Sequence, residues 1–166
     1  MTPDAVKTAI EQWRSEHPDA DLTGLEFNGR LHALQRQLDA LSAGVLAEHD
    51  LLTWEWDVLS VLWRHRESPV VMSALGNLLL IAPGSVTNRI ARLEQRGFVA
   101  RTVDPASRRR VLVALTADGE RKLARTLPHV LEASTRLHRE LVGVDLAQVN
   151  EQLSMIAGIL SARSGD

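Results

Sequence analysis

The sequence predicts a mainly α-helical protein that carries one small β-hairpin. Apolar residues recur at spacings of three and four along most of the 166 residues, which is typical of amphipathic helices. Two β-prone segments flank the sequence DPASRRR, a pattern that indicates a hairpin. Five or six helices with one hairpin exclude the nucleotide-binding α/β folds, and the sequence contains no glycine-rich phosphate-binding loop and no internal repeat.

Two helices are predicted at the N-terminal end. Residues 4–16 place Val6, Ile10 and Trp13 on one side of a short helix. A long amphipathic helix follows over residues 22–47, because leucines alternate there in steps of three and four.

Three further helices are predicted before the hairpin. Thr53 is expected to cap a helix over residues 54–65. A short helix covers residues 73–79. The next runs over residues 83–96, because a proline is tolerated in a first turn and Gly97 is suited to ending a helix.

The hairpin is predicted to join residues 98–103 to residues 111–115 through a loop over residues 104–110. Thr116 then caps another helix. Pro128 is expected to kink or interrupt that helix, because proline cannot donate the backbone hydrogen bond of a helix interior.

The long helices near both ends carry continuous apolar stripes. A domain of this size cannot readily cover such stripes by itself, so the sequence predicts a partner chain; the alternative is that both stripes pack on one small core. The stripe residues are Leu31, Leu34, Leu38, Leu41 and Val45 in the first long helix, Leu123, Leu127, Leu131, Leu137 and Leu141 after the hairpin, and Leu146, Val149, Leu153, Ile156 and Leu160 in the last helix.

Composition excludes several classes of site. The chain has no cysteine, which removes disulfides, thiolate catalysis and cysteine zinc sites. None of the six histidines pairs at the spacing of a helical metal site, and no nucleophile lies on an elbow motif, so neither a metal, a cofactor nor an enzymatic activity is expected. Without an apolar run long enough to span a bilayer or a signal-peptide pattern, a cytoplasmic location is the expectation.

Positive charge is concentrated in one segment. Residues 89–110 hold seven arginines against only Glu94 and Asp104, whereas the other residues carry 12 Lys+Arg and 19 Asp+Glu. A mildly acidic chain that gathers its positive charge in one helix–hairpin unit is expected to bind a polyanion there.

The helix over residues 83–96 has two distinct faces. At about 100° per residue, Val86, Ile90 and Leu93 share the core side. Small and hydrogen-bonding residues occupy the opposite side, namely Gly84, Thr87, Asn88, Ala91, Arg92 and Gln95. A helix in the DNA major groove needs such a face, on which Asn88 would pair with adenine and Arg92 with guanine.

The predicted DNA contacts extend from this helix to the hairpin tip. A flexible loop would present three consecutive arginines to a phosphate backbone or a minor groove. The full predicted set is Ser85, Thr87, Asn88, Arg92, Arg96, Arg108, Arg109 and Arg110. The alternatives are a merely solvated polar helix face and an arginine loop that serves only solubility. Arg89 falls on the boundary between the two helix faces.

These residues resemble the MarR family of bacterial winged-helix transcriptional regulators. The matching positions are Thr87, Ile90, Arg92, Leu93, Glu94, Gly97, Phe98, Val99, Arg101, Asp104, Pro105, Arg109, Leu115, Thr116 and Gly119. The resemblance implies a homodimer joined through its terminal helices and bound to a palindromic operator, with Arg109 as the wing arginine. Ser107 stands where the family wing usually carries an acidic residue, so Asp104 is expected to supply the salt bridge of the wing.

A narrower resemblance is to the urate-responsive branch of this family. It rests on Gln12-Trp13, on residues 46–49 and 55–59, and on residues 87–90. It implies a ligand site made of Trp13, Asp57, Arg64 and Arg89. Trp13 would stack on a planar purine, Arg64 would bind the anion, and Asp57 would pair with Arg89. Alternatively, Asp57 and Arg64 form an ordinary surface pair and Trp13 is a packing residue.

The sequence therefore predicts a winged helix-turn-helix protein with terminal dimerisation helices. Residues 1–50 would supply dimerisation helices and a wall of the ligand pocket, residues 51–116 the DNA-binding region, and residues 117–166 the C-terminal dimerisation helices. The predicted function is that of a repressor that binds palindromic double-stranded DNA as a homodimer. A small planar anion such as urate or an aromatic acid would release it from the DNA. The alternative is a winged-helix protein–protein interaction module whose basic face meets an acidic partner.

Overall fold

A computed structural model describes residues 4–163 of the chain, apart from the side chain of Arg163. Its elements in chain order are α1 (Ala5–Glu16), α2 (Thr23–Glu48), α3 (Thr53–Arg64), β1 (Val70–Val71), α4 (Met72–Leu79), α5 (Pro83–Gln95), β2 (Val99–Asp104), β3 (Ser107–Leu115), α6 (Ala117–Glu140) and α7 (Leu146–Arg163). They form two compact units, one ending at Val130 and one beginning at Leu131. The predicted mainly α-helical fold with a small hairpin is confirmed.

The core of the first unit lies under α3, α4 and α5. Its fully buried side chains come from the apolar faces that the periodicity predicts, with strand residues closing one side. They include Leu46, Val58, Leu59, Leu75, Val86, Ile90, Leu93, Val99, Val113 and Leu123. This packing fixes α5 against the remainder of the unit and leaves its other side free.

The start of α3 differs from the prediction by one residue. Thr53 is the first helical residue, and Leu52 occupies the capping position. The Leu52 amide donates to the Glu55 carboxylate at 2.9 Å, so the side chain of the third helical residue satisfies the free amide of the capping residue.

The sheet has three antiparallel strands in the order β1-β3-β2. The prediction lacked β1, because two residues are too short to show an alternating pattern. Val70 pairs with Val113 and Val71 with Leu112, which joins the start of α4 to the middle of the hairpin.

The predicted flexible loop over residues 104–110 is wrong. Only Pro105 and Ala106 form the turn, and β3 already begins at Ser107. The turn is short because the Asp104 carboxylate accepts the Ala106 amide at 2.8 Å. The register shifts between the Val103–Val111 pair and the Asp104–Ser107 pair, so the three arginines 108–110 occupy an irregular part of β3.

A compact junction ties the hairpin to α6. The Thr116 hydroxyl donates to the Gly97 carbonyl at 2.6 Å and accepts the Gly119 amide at 3.1 Å, which confirms Thr116 as the helix cap. Gly97 has a φ of 75°, which favours glycine. A Cβ atom at Gly119 would collide with the Phe98 carbonyl oxygen, so the close approach of α6 to the hairpin requires glycine there.

Helix α6 continues through Pro128, so of the predicted kink or interruption, the interruption is wrong and the kink stays a prediction. One missing backbone donor is tolerated within a helix of 24 residues. In the second unit, α7 exposes most of its apolar residues, among them Val149, Leu153, Ile159 and Leu160. Within residues 4–163, none of the helices combines the length and apolar character that a bilayer crossing demands.

Candidate nucleic-acid interface

Helix α5 is fixed by its apolar face. Val86, Ile90 and Leu93 are buried as predicted, and Pro83 occupies its first turn. Helix α4 precedes α5 through a short turn at Leu80, whose backbone is left-handed with a φ of 54°. The pair has the arrangement of a helix-turn-helix, in which the second helix is the one free to enter a groove.

The opposite face of α5 is exposed as predicted except at Ala91, which is half-buried. Ser85, Thr87, Asn88 and Arg92 all reach solvent, whereas Arg89 is half-buried at the boundary that the helical angle indicated. The exposed face combines two hydroxyls, one amide and one guanidinium. These groups match the hydrogen-bonding pattern of base edges and phosphates.

Two arginines of α5 lie against one indole of α3. The Arg92 Cζ atom is 5.0 Å from the centre of the Trp54 ring, and the Arg89 Cζ atom is 5.8 Å from it. Both distances are within the range of a cation–π contact. Trp54 is half-buried against the core, and its contact with two cations depends on tertiary structure.

Arg96 lies in a network of carboxylates. Its guanidinium donates to Glu55 at 2.6 Å and to the Asp50 carbonyl at 2.8 Å, and it also pairs with the Asp50 carboxylate. Phe98 lies under the same group, 4.8 Å from its Cζ atom. The structure therefore gives Arg96 the role of joining α5 to α3, and a phosphate would have to compete with these acceptors.

The hairpin arginines differ from one another. Arg110 pairs with Asp104 at 3.2 Å, so Asp104 does supply a wing salt bridge, as expected, although not with Arg109. Among residues 4–163, Arg108 and Arg109 have no ion pair or side-chain hydrogen bond. Two of the three arginines are therefore available to an anion.

A second ion pair stiffens the base of the hairpin. Arg101 donates through Nε to Glu94 at 2.8 Å. This hydrogen bond holds the pKa of Glu94 below its ordinary value and raises the pKa of Arg101. It joins the end of α5 to β2.

A cleft of about 290 Å³ separates α4 and the start of α5 from the hairpin. Met72, Pro83, Thr87, Arg109 and Val111 are among its lining residues. None of the four predicted ligand residues lines it.

The predicted ligand residues are distributed over three helices. Trp13 of α1 is 47% exposed and stacks on His17 at 5.7 Å. Asp57 and Arg64 are both exposed on α3, and Arg89 lies on α5. No ion pair within 4.0 Å links Asp57 to Arg64 or to Arg89, all three being described residues. The predicted pair of Asp57 with Arg89 is therefore absent as an ion pair, and so is the alternative surface pair of Asp57 with Arg64.

Asp57 nevertheless interacts electrostatically with Arg89. Partial burial raises the pKa of Asp57 above its ordinary value, the positive charge of Arg89 acts against this rise, and the negative charge of Asp39 adds to it. An anion that approached Asp57 would be attracted by the positive charge of Arg89 and repelled by the negative charge of Asp39.

Comparison with known proteins agrees with this geometry. A family model described as the MarR family matches residues 53–111. The HTH-type transcriptional regulator PecS of Dickeya dadantii is 33% identical over 116 residues, which cover 69% of this chain and 69% of that protein.

Solved structures share the fold. A MarR mutant from E. coli complexed with operator DNA has a TM-score of 0.73 at 24% identity, covering 82% of this chain and 99% of its own. CouR from Rhodococcus jostii bound to p-coumaroyl-CoA has a TM-score of 0.68 at 22% identity, and the match covers 80% of this chain and 90% of the CouR chain. The chain therefore belongs to the MarR family of DNA-binding transcriptional regulators and is not an enzyme.

Proposed function

We propose that the protein is a ligand-responsive repressor that binds a palindromic operator as a homodimer. The observation that carries this proposal is the face of α5 that exposes Asn88 and Arg92 beside a hairpin with two unpaired arginines. A regulator of genomic DNA would act in the cytoplasm.

The two parts of this surface have different roles. Asn88 and Arg92 read base edges in the major groove, since their amide and guanidinium groups match adenine and guanine. Arg108 and Arg109 hold the phosphate backbone or the minor groove, since neither is held by a carboxylate. Ser85 and Thr87, near the start of α5, bind the adjacent phosphates. Arg110 and Arg96, which the prediction also assigned to DNA, are paired with carboxylates and would reach a phosphate only in competition with them.

The exposed apolar residues support a homodimer. Helix α2 exposes Leu25, Phe27, Leu31, Leu34 and Leu41. Helix α7 exposes a second stripe of apolar residues. Water-exposed stripes of this kind are expected to be covered by a second chain. Two copies related by a twofold axis would present two α5 helices to two half-sites, which accounts for a palindromic operator.

The effector proposed is a small planar anion such as urate or an aromatic acid. Trp13 and Arg64 are exposed on α1 and α3, where a planar ring and a negative charge have access to them. The anion would change the field at Asp57, to which Arg89 of α5 is coupled. A fold relative, CouR, is seen with p-coumaroyl-CoA bound.

Fluorescence anisotropy on the DNA upstream of the protein's own gene tests the DNA-binding proposal. Arg92→Ala should cost about 1–3 kcal/mol and relax the sequence preference. Arg108→Ala should weaken binding to every duplex about equally and reduce its dependence on salt. Equal losses for both variants on all sequences would contradict the assigned roles. If the protein binds an acidic protein but no duplex in dilute buffer, the interaction-module alternative is favoured.

The effector proposal has its own test. Urate and aromatic acids are titrated into the protein–DNA complex, and release is compared between the wild-type protein and Arg89→Ala. The variant should still bind the anion, measured by calorimetry, but release DNA less readily. An unchanged release curve would remove Arg89 from the coupling.

A further inference from the structure

The arginines of α5, its C-terminal end and the hairpin form a basic surface, and they differ in the side chains that contact them. Carboxylates hold Arg96, Arg101 and Arg110. Among the described residues, neither Arg89 nor Arg92 has an ion pair, and both guanidinium groups lie within 6 Å of the Trp54 ring. At Arg89 and Arg92 an aromatic ring therefore takes the place of a carboxylate.

This difference matters for DNA recognition. A carboxylate engages the N–H groups of a guanidinium, as Glu55 does for Arg96. A ring engages the flat face of the guanidinium and leaves its fork of N–H groups free. Bidentate pairing with guanine uses that same fork. A guanidinium held by a ring is thus oriented and still able to read a base.

We infer that Trp54 is a positioning residue that determines sequence specificity, because its indole holds the guanidinium of Arg92 ready for a base. This inference rests on the proposed DNA-binding function. Trp54 is anchored for the task, since it lies in the first turn of α3 and packs against the buried core. Holding Arg92 before binding reduces the entropy lost when that flexible side chain is fixed on DNA.

The experiment separates positioning from packing. Duplexes are first selected from a random library by the wild-type protein, and a scrambled duplex of equal length and composition serves as the reference. Dissociation constants on both duplexes are then measured for Trp54→Phe, Trp54→Leu, Arg92→Ala and the double variant Trp54→Leu/Arg92→Ala. Arg108→Ala, alone and with Trp54→Leu, is the matched control, and thermal unfolding confirms that each variant is folded.

Trp54→Leu should lose about 2- to 10-fold in affinity for the selected duplex and change little on the scrambled one. Trp54→Phe should retain most of the preference, because a phenyl ring keeps an aromatic face. The double variant with Arg92→Ala should bind no more weakly than Arg92→Ala alone, whereas the losses from Trp54→Leu and Arg108→Ala should add.

Two results would overturn the role of Trp54 alone: equal losses on both duplexes, or losses from Trp54→Leu and Arg92→Ala that add. The NMR shift of the Arg92 Nε–H group provides a test without DNA, since the indole ring should shift it and Trp54→Leu should remove that shift. A wild-type protein that selects no sequence would overturn the proposed function and, with it, the role of Trp54.

Discussion

Arg96, the residue that follows α5, and Glu55 of α3 form an ion pair at 2.6 Å although 41 residues separate them in the chain. The Glu55 side chain is only 3% exposed, and that of Arg96 is 29% exposed. The same Glu55 oxygen accepts the Leu52 amide, and the same guanidinium reaches Asp50. One buried carboxylate thus joins the C-terminal end of α5 to the start of α3.

Arg96→Ala should destabilise the protein by about 2–4 kcal/mol, because it leaves a buried carboxylate without its cation. Urea unfolding monitored by tryptophan fluorescence measures this loss. The control is Glu55→Gln in the Arg96→Ala background, which removes the buried charge and should recover part of the stability. No recovery would mean that the loss arises from the other contacts of Arg96, those with Asp50 and Phe98.

Leu80 offers a substitution that should stabilise the fold. Its backbone is left-handed with a φ of 54°, and its side chain is 92% exposed, so little packing offsets the strain. Leu80→Asn or Leu80→Gly should raise the free energy of unfolding by about 0.5–1 kcal/mol. Leu78→Gly, inside α4, is the control and should lower it by about 1 kcal/mol. Losses at both positions would show that Leu80 is not strained.

The predictable parts of the fold are those with local causes. Val86, Ile90 and Leu93 share a face because of helix geometry alone, and they are buried. Thr116 and Gly97 act at a helix start and a helix end, where residue type decides the conformation. Periodicity and capping chemistry therefore located α5, and the two β-prone segments around a turn sequence located the hairpin.

The parts that the sequence did not predict depend on pairs distant in the chain. Strand β1 exists because Val70 meets Val113. The partners of Arg96 are Glu55 of α3 and Asp50, which follows α2. The sequence places Arg96 beside other arginines and therefore predicted a DNA contact, but in the folded chain its neighbours are carboxylates. The contact of Trp54 with Arg92 arises in the same way.

Asp104 is expected to stabilise the hairpin tip. It is 8% exposed, accepts the Ala106 amide and pairs with Arg110. Asp104→Ala should cost about 1–3 kcal/mol locally, seen as faster hydrogen exchange at the Ala106 amide. DNA affinity should fall equally on selected and scrambled duplexes, because Arg108 and Arg109 of the hairpin are proposed to contact phosphates. Asp104→Asn, which keeps an acceptor for the Ala106 amide, should exchange more slowly than Asp104→Ala. A loss confined to the selected duplex would contradict this role.

The raised pKa of Asp57 makes its contribution to stability depend on pH. Its ordinary pKa is 3.8, and burial raises the pKa in the folded state. Between the two values the folded protein holds the proton more tightly than the unfolded chain, so stability is gained below 3.8 and lost as pH rises through the folded pKa. At pH 7 the ionised carboxylate is therefore a cost. Asp57→Asn should raise Tm at pH 7, and the gain should shrink as pH falls toward 4.

NMR titration of the Asp57 carboxyl checks the causes of this shift. Arg89→Ala should raise the midpoint further, because it removes the opposing positive charge, and Asp39→Asn should lower it, because it removes a neighbouring negative charge. A midpoint unchanged by Arg89→Ala would show that the pKa of Asp57 does not depend on the charge of Arg89 on α5. The coupling of Arg89 to an anion near Asp57 would then have no electrostatic basis.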